Sequence, residues 1–198
     1  MSKENKFETN AIHVGNSPDP STGSISPPIH LTSTYVQDGI GKNKGFDYSR
    51  GTNPTRERLE KNIASLEGGY DAIAFSSGMA ATTALLQHLK QGDHVIISRN
   101  VYGGTYRMTT QVLSNHGLKF DFVDTTDTQN IKEAIKPETK WVFIETPTNP
   151  MLEVTDIAAV SKICKESNIK FAVDNTFMSP FGQRPIEHGA DCVMHSTT

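Results

Sequence analysis

Trp141-Val142-Phe143-Ile144-Glu145 and Phe171-Ala172-Val173-Asp174 decide the fold. Each is a short apolar run closed by a carboxylate. Between them, residues 154–168 carry apolar side chains at helical spacing. Such runs fit strands buried on both faces, and strand–helix–strand is the repeating unit of a parallel sheet. Working outwards, apolar runs at 71–75, 93–98, 118–123 and 191–195 also read as strands. Helical patterns at 79–90, 104–115 and 128–136 lie between them. The alternation predicts an α/β fold, a mainly parallel sheet with helices on both faces.

The stretch before these runs has another character. Across residues 1–56, Pro18, Pro20, Pro27 and Pro28 stand among Ser, Thr and Gly, followed by Gly39, Gly41, Gly45 and Gly51. Such a composition seldom makes a compact unit by itself. A solvated tail, however, has little use for Tyr35, Phe46 and Tyr48. The expectation is an extended N-terminal arm, 1–56, that packs on something else, and a larger domain over 57–198. Asn53-Pro54-Thr55 signals a helix start, Leu59, Ile63 and Leu66 follow at helical spacing, and Gly68-Gly69 ends the helix.

Of 198 residues, 35% are hydrophobic and 21% charged, which suits a globular protein with its own core. A net charge of −3 and scattered Lys and Arg give no reason to expect nucleic acid or an anionic membrane as partner. Met1-Ser2-Lys3-Glu4-Asn5-Lys6 leads into no apolar stretch, so no signal peptide or membrane span is expected. Cys164 and Cys192 lie in apolar patterns and read as reduced core residues. The histidines show no zinc spacing, and no metal is expected. Together these features favour the cytoplasm.

In open parallel sheets, ligands sit beyond the carboxyl ends of the strands. That rule selects Ser76-Ser77-Gly78-Met79 after Phe75, Glu145, Asp174, and Ser196 and Thr198 after His195. Ser77-Gly78-Met79 opens a helix, where free N–H groups suit a phosphate; a plain N-cap by Ser77 is the simpler account of that motif alone. It matches neither Gly-x-x-x-x-Gly-Lys-Ser/Thr nor Gly-x-Gly-x-x-Gly, so the nucleotide-loop readings lose support. Asp174 suits the protonated nitrogen of a pyridine ring, or equally a turn cap. Tyr102 before Gly103-Gly104 offers a ring to stack on, or a turn with a chance tyrosine. Tyr48-Ser49-Arg50 offers a guanidinium fork and a hydroxyl, or a solvated loop. His195 reads as a packing or hydrogen-bonded histidine.

Assembled in order, these stretches resemble the Cys/Met-metabolism family of pyridoxal phosphate (PLP) enzymes. The matching segments are Ala11-Ile12-His13-Val14-Gly15, Tyr48-Ser49-Arg50 with Asn53-Pro54-Thr55, Phe75 to Met79, and Val101 to Thr105. They continue with Ile144-Glu145-Thr146-Pro147-Thr148-Asn149-Pro150, Val173 to Phe177, and Gly189-Ala190-Asp191 through Thr198. The resemblance implies the large domain of a PLP-dependent transferase, aspartate-aminotransferase-like. It implies that Gly78 and Met79 bind phosphate through backbone N–H groups, with Ser196 and Thr198 adding hydroxyls. Tyr48 and Arg50 would reach the phosphate of a neighbouring subunit's cofactor, in a homo-oligomer with shared sites, usually a tetramer. Tyr102 would stack on the ring, Asp174 would pair with its nitrogen and Thr176 would support that end. Asn149 would hold the substrate carboxylate or ring hydroxyl, with Glu145 as a supporting, substrate-side group.

In the family a lysine that forms the Schiff base follows directly, and here Thr198 is the last residue. The resemblance implies a chain about twice this length, with a C-terminal domain and an arginine for the substrate α-carboxylate. A truncated polypeptide, proteolysis or a break at a cofactor-modified lysine would each end the sequence here; the last is the expectation. The implied activity is transsulfuration on a small amino acid, with proton transfer assisted by Tyr102 or by Tyr48 of a neighbour. Cystathionine γ-lyase leads, cystathionine γ-synthase is the alternative, and another carbon–sulfur lyase or sulfhydrylase follows. Gly104 stands where methionine γ-lyases typically carry cysteine, which argues against that activity. A non-catalytic PLP-binding protein or inactive fragment stays open, discriminated by the lysine. A nucleotide-binding α/β protein ranks far lower.

Overall fold

The computed structural model describes residues 6–197. The chain divides into two compact units, with the division between Ala74 and Phe75. The helix opened by Asn53 therefore belongs to the first unit.

In the first unit, helix α1 spans Phe7–His13 and α2 spans Pro54–Glu67. The start signal acts as its chemistry dictates. The Asn53 side chain accepts from Thr55 and Arg56 N–H, Pro54 takes the first helical turn, and Gly68 closes the helix at φ 69°. Asn53 also donates to the His30 carbonyl, and Asn62 donates to the Asn10, Ala11 and Val14 carbonyls. Asparagine amides thus organise a stretch that has little regular structure, besides one antiparallel bridge between Thr34 and Tyr48.

The second unit is built on five parallel strands: β1 His94–Ser98, β2 Lys119–Val123, β3 Thr139–Glu145, β4 Lys170–Asp174 and β5 Cys192–Met194. Their order is β2-β1-β3-β4-β5. Helix α3 Gly78–Leu86 leads into β1, and α4 Gly103–Gln111, α5 Thr128–Ala134 and α6 Ile157–Glu166 connect β1 to β2, β2 to β3 and β3 to β4. A further short turn of helix, α7, covers Ser179–Gly182. The period of two along each strand builds two cores. Val95, Ile97, Trp141, Phe143 and Ala172 pack with Leu86 of α3 and Met108 of α4 on one face. Ile96, Val142, Ile144, Phe171 and Val173 pack with Ile131 of α5 and Val160 of α6 on the other. Strands apolar on both faces must be covered twice, which is the expected parallel α/β architecture.

One expected strand is absent. Residues 71–75 have no strand structure. A strand exists only with a partner, and among the described residues none pairs with this segment. The Ala74 N–H goes instead to the Glu60 carboxylate at 2.9 Å. The helices also start later or end sooner than their apolar patterns. For α6 the reason is local: the Asp156 side chain accepts from Ala159 N–H and sets the start. Cys164 is buried and Cys192 half-buried, both free, and burial pushes the Cys164 thiol up to about 12.

Candidate active site

The strand order reverses direction at β1, which has β2 on one side and β3 on the other. Loops leaving the carboxyl ends of β1 and β3 part there and open a crevice. The selected residues of the second unit gather along this edge and its continuation over β4 and β5.

Asp174 ends β4 and is 5% exposed. Its Oδ1 accepts from Thr176 N–H at 3.0 Å and from the Thr176 hydroxyl at 2.6 Å. The same hydroxyl oxygen accepts from Ser196 N–H at 2.9 Å. Thr176 therefore links the ends of β4 and β5. Burial raises the Asp174 carboxyl above its ordinary 3.8, against the Thr176 bonds and the charge of His195. A buried acid in this state is suited to a cationic partner that would restore its charge.

Beside it lies the start of α3. Ser77 is the N-cap, as its simpler reading holds, and its oxygens take the N–H groups of Ala80 and Ala81. Those of Gly78 and Met79 have no partner among the described residues. A Cβ on Gly78 would stand 2.7 Å from Cβ of Ser196 and 3.1 Å from its hydroxyl. Only glycine lets the helix start approach the β5 end this closely. Two unpaired N–H groups, the helix dipole and a serine hydroxyl in one concavity fit the phosphate of PLP. Thr198, the other expected hydroxyl, lies outside the described residues.

Tyr102 caps α4 and is 45% exposed. A Cβ on Gly104 would meet its ring at 2.6 Å and the Met79 sulfur at 2.8 Å, so the missing side chain seats the ring. Tyr102 N–H donates to Glu145 Oε2 at 2.5 Å, and Asn149 N–H donates to Glu145 Oε1 at 2.8 Å. Glu145 is 5% exposed, so its carboxylate faces the loops. Its own N–H reaches the Ser98 hydroxyl, which continues to Thr125 and Thr155 through buried contacts of 3.2 and 2.7 Å. Burial first, then the Asp174 charge, pushes the Glu145 carboxyl up to about 7, against its two N–H bonds.

Asn149 also lines a cleft of about 320 Å³ with Arg99, Asn100, Tyr106 and Arg107. Arg99 is engaged by Asp124 at 3.0 Å and Glu153 at 2.9 Å, whereas Arg107 makes no ion pair among the described residues. Sequence reasoning passed over Arg107. The available signal was its position one helical turn after Gly103, where a Cβ would lie 3.3 Å from its guanidinium. Tyr48 and Arg50 lie in the first unit and pair with each other, the guanidinium 4.7 Å from the tyrosine ring centre. No group of His, Cys, Asp and Glu among the described residues is arranged to hold a metal, and no described helix is long and apolar enough to cross a membrane.

A parallel sheet with this order, a helix start with open N–H groups and a buried carboxylate at the same edge fit the class of α/β domains that take a phosphorylated pyridine cofactor. The chain belongs to the Cys/Met metabolism PLP-dependent enzyme family, whose model matches residues 8–198. It is 50% identical over 192 residues to a protein of Herpetosiphon aurantiacus described as a probable cystathionine gamma-synthase, covering 97% of this chain and 60% of that one. It is 54% identical over 196 residues to the putative cystathionine gamma-lyase 2 of Caenorhabditis elegans, covering 97% and 50%. Among solved structures, cystathionine gamma-lyase from Lactobacillus plantarum complexed with L-serine superposes with a TM-score of 0.93 at 46% identity, covering 96% and 50%. The chain thus spans 50–60% of the length of these relatives. The expected family, cofactor and fold agree with these findings.

Proposed function

We propose that the protein carrying this chain is a PLP-dependent transsulfuration enzyme acting at Cγ of an amino-acid substrate, with cystathionine γ-lyase as the leading activity. The observation that carries the reading is the pairing of the buried, Thr176-held Asp174 with the Gly78–Ser196 concavity on one sheet edge. When bound there, PLP supplies an electron sink for charge developing at the substrate Cα. The chain's residues would bind and orient it. Gly78 and Met79 N–H groups and the Ser196 hydroxyl hold the phosphate, with Thr198 joining them. Asp174 would keep a proton on the ring nitrogen, Thr176 would keep Asp174 in place, and Tyr102 would supply an aromatic ring beside the cofactor. Arg107 and Asn149 supply a cation and an amide at the adjoining cleft, suited to a substrate carboxylate.

The arm supports a homo-oligomer. Leu31 and Ile40 are 94% and 104% exposed, with Ile25, Ile29 and Val36 exposed beside them. Apolar side chains at this density ask for a covering surface. A neighbouring copy is the reading, with Tyr48 and Arg50 brought to its cofactor phosphate. The relatives are described variously as cystathionine gamma-synthase, gamma-lyase and beta-lyase, so the choice of reaction falls to an assay. The deciding experiment uses the full-length protein. Cystathionine and water alone should yield cysteine, 2-oxobutanoate and ammonia. Formation of cystathionine from an O-acyl-homoserine and cysteine, with negligible cleavage, would select the γ-synthase reading instead.

A further inference from the structure

Glu145 lies at the end of β3, between the ends of β1 and β4. It is an expensive residue to keep there, because a buried carboxylate beside Asp174 carries both a desolvation and a repulsion cost. Its two oxygens are engaged by N–H groups from two different loops. Tyr102 opens α4 with no side-chain cap of its own. Asn149 stands in an irregular turn between two prolines, Pro147 and Pro150. Below Glu145, the Ser98–Thr125–Thr155 hydroxyls fix the strand end from which it projects.

We propose that Glu145 is a positioning residue, whose carboxylate clamps the Tyr102 and Asn149 backbones together across the crevice and so sets where their side chains meet cofactor and substrate. The inference rests on the PLP reading of the site for its consequences, and on the two hydrogen bonds alone for its mechanism. Two N–H donors need a group with two acceptors and no donor. A carboxylate is that group; an amide turns an NH₂ towards one of the two N–H groups. Aspartate is one methylene too short to reach both.

The test is hydrogen exchange on the full-length protein at pH 8.5, above the value of about 7 to which burial pushes Glu145, with and without PLP. In the wild type, the Tyr102 and Asn149 amides should be protected relative to Asn100 and Met151 in the same loops. In Glu145→Gln they should exchange about tenfold faster or more, as loss of a hydrogen bond to a charged acceptor dictates, while strand amides of β1 and β3 stay unchanged. With PLP bound, the variant should show an altered visible circular dichroism band and a several-fold rise in KM beyond any fall in kcat. Unprotected wild-type amides would overturn the clamp without any variant. Identical exchange and dichroism in a folded Glu145→Gln would overturn it equally. If the wild type bound no PLP, the functional reading would fall, and the exchange of the cofactor-free protein would still decide the clamp.

Discussion

At the scale of single residues, the site trades stability for function in a way that has a sign. Burial raises Asp174 above 3.8. An acid whose folded pKa exceeds its unfolded value favours the fold fully below the unfolded value, and loses that contribution as pH rises through the folded one. At neutral pH an ionised, buried Asp174 without its cofactor partner therefore weighs against folding. Asp174→Asn should raise the melting temperature of the cofactor-free, full-length protein at pH 7.5 by a few degrees, on the order of 1 kcal/mol, and cut turnover about a hundredfold or more. A variant that melts lower than wild type would refute this account. Gly78 tests the neighbouring concavity. Its added Cβ would stand 3.2 Å from the Ser196 Cα, which is backbone and gives little. Gly78→Ala should fold and lose about tenfold in PLP affinity by titration, a cost typical of overpacking. Asp174 and Gly78 were legible in the sequence because each follows an apolar strand at a fixed offset. The bonding of Glu145 was not, since its Tyr102 donor is 43 residues distant and belongs to the backbone.

At the scale of elements, β3 and β4 were legible because both of their faces are apolar, and the segment 71–75 was not, because pairing is decided by a partner and not by composition. The amino ends of the strands hold a second titrating group, far along the strands from the carboxyl-end site. His94 is fully buried at the start of β1. Its Nδ1 lies 2.8 Å from the Thr139 hydroxyl on β3, and its Nε2 lies 3.3 Å from Asp121 on β2. Asp121 is shared with Lys136 at 2.5 Å, and Glu138 pairs with Lys119 at 2.9 Å. Burial holds the imidazole below 6.5, with Lys136 pushing the same way and Asp121 and Glu138 opposing. A folded pKa below the unfolded value gives stability that is present above pH 6.5 and lost as pH falls through the folded value. Melting temperature should therefore drop more steeply from pH 7 to 5 in the wild type than in His94→Gln, although the variant starts lower at pH 8. Parallel profiles would show that His94 does not carry the acid sensitivity.

At the scale of the whole molecule, the arm poses a question that neither the sequence pattern nor a single chain answers: whose cofactor do Tyr48 and Arg50 serve? They lie in the first unit, stacked on each other and accessible, while Asp174 and Gly78 lie in the second. Sharing between copies makes a quantitative prediction. Arg50→Ala and Asp174→Asn should each be nearly inactive alone. In a mixed dimer, the site built on the intact Asp174 receives its Arg50 from the other copy, which still has it, and the second site carries both lesions. Random co-assembly makes half of the dimers mixed, so about one quarter of wild-type activity should return in a two-fold symmetric pair. If each arm served its own chain, every site would carry one lesion whatever the mixture. Under sharing, co-expression of the two full-length variants, followed by purification on two different tags to isolate mixed assemblies, should raise the recovered activity towards one half of wild type. Activity that stays at the level of the single variants would assign the arm to its own subunit. It would also leave the exposed Leu31 and Ile40 in need of another cover.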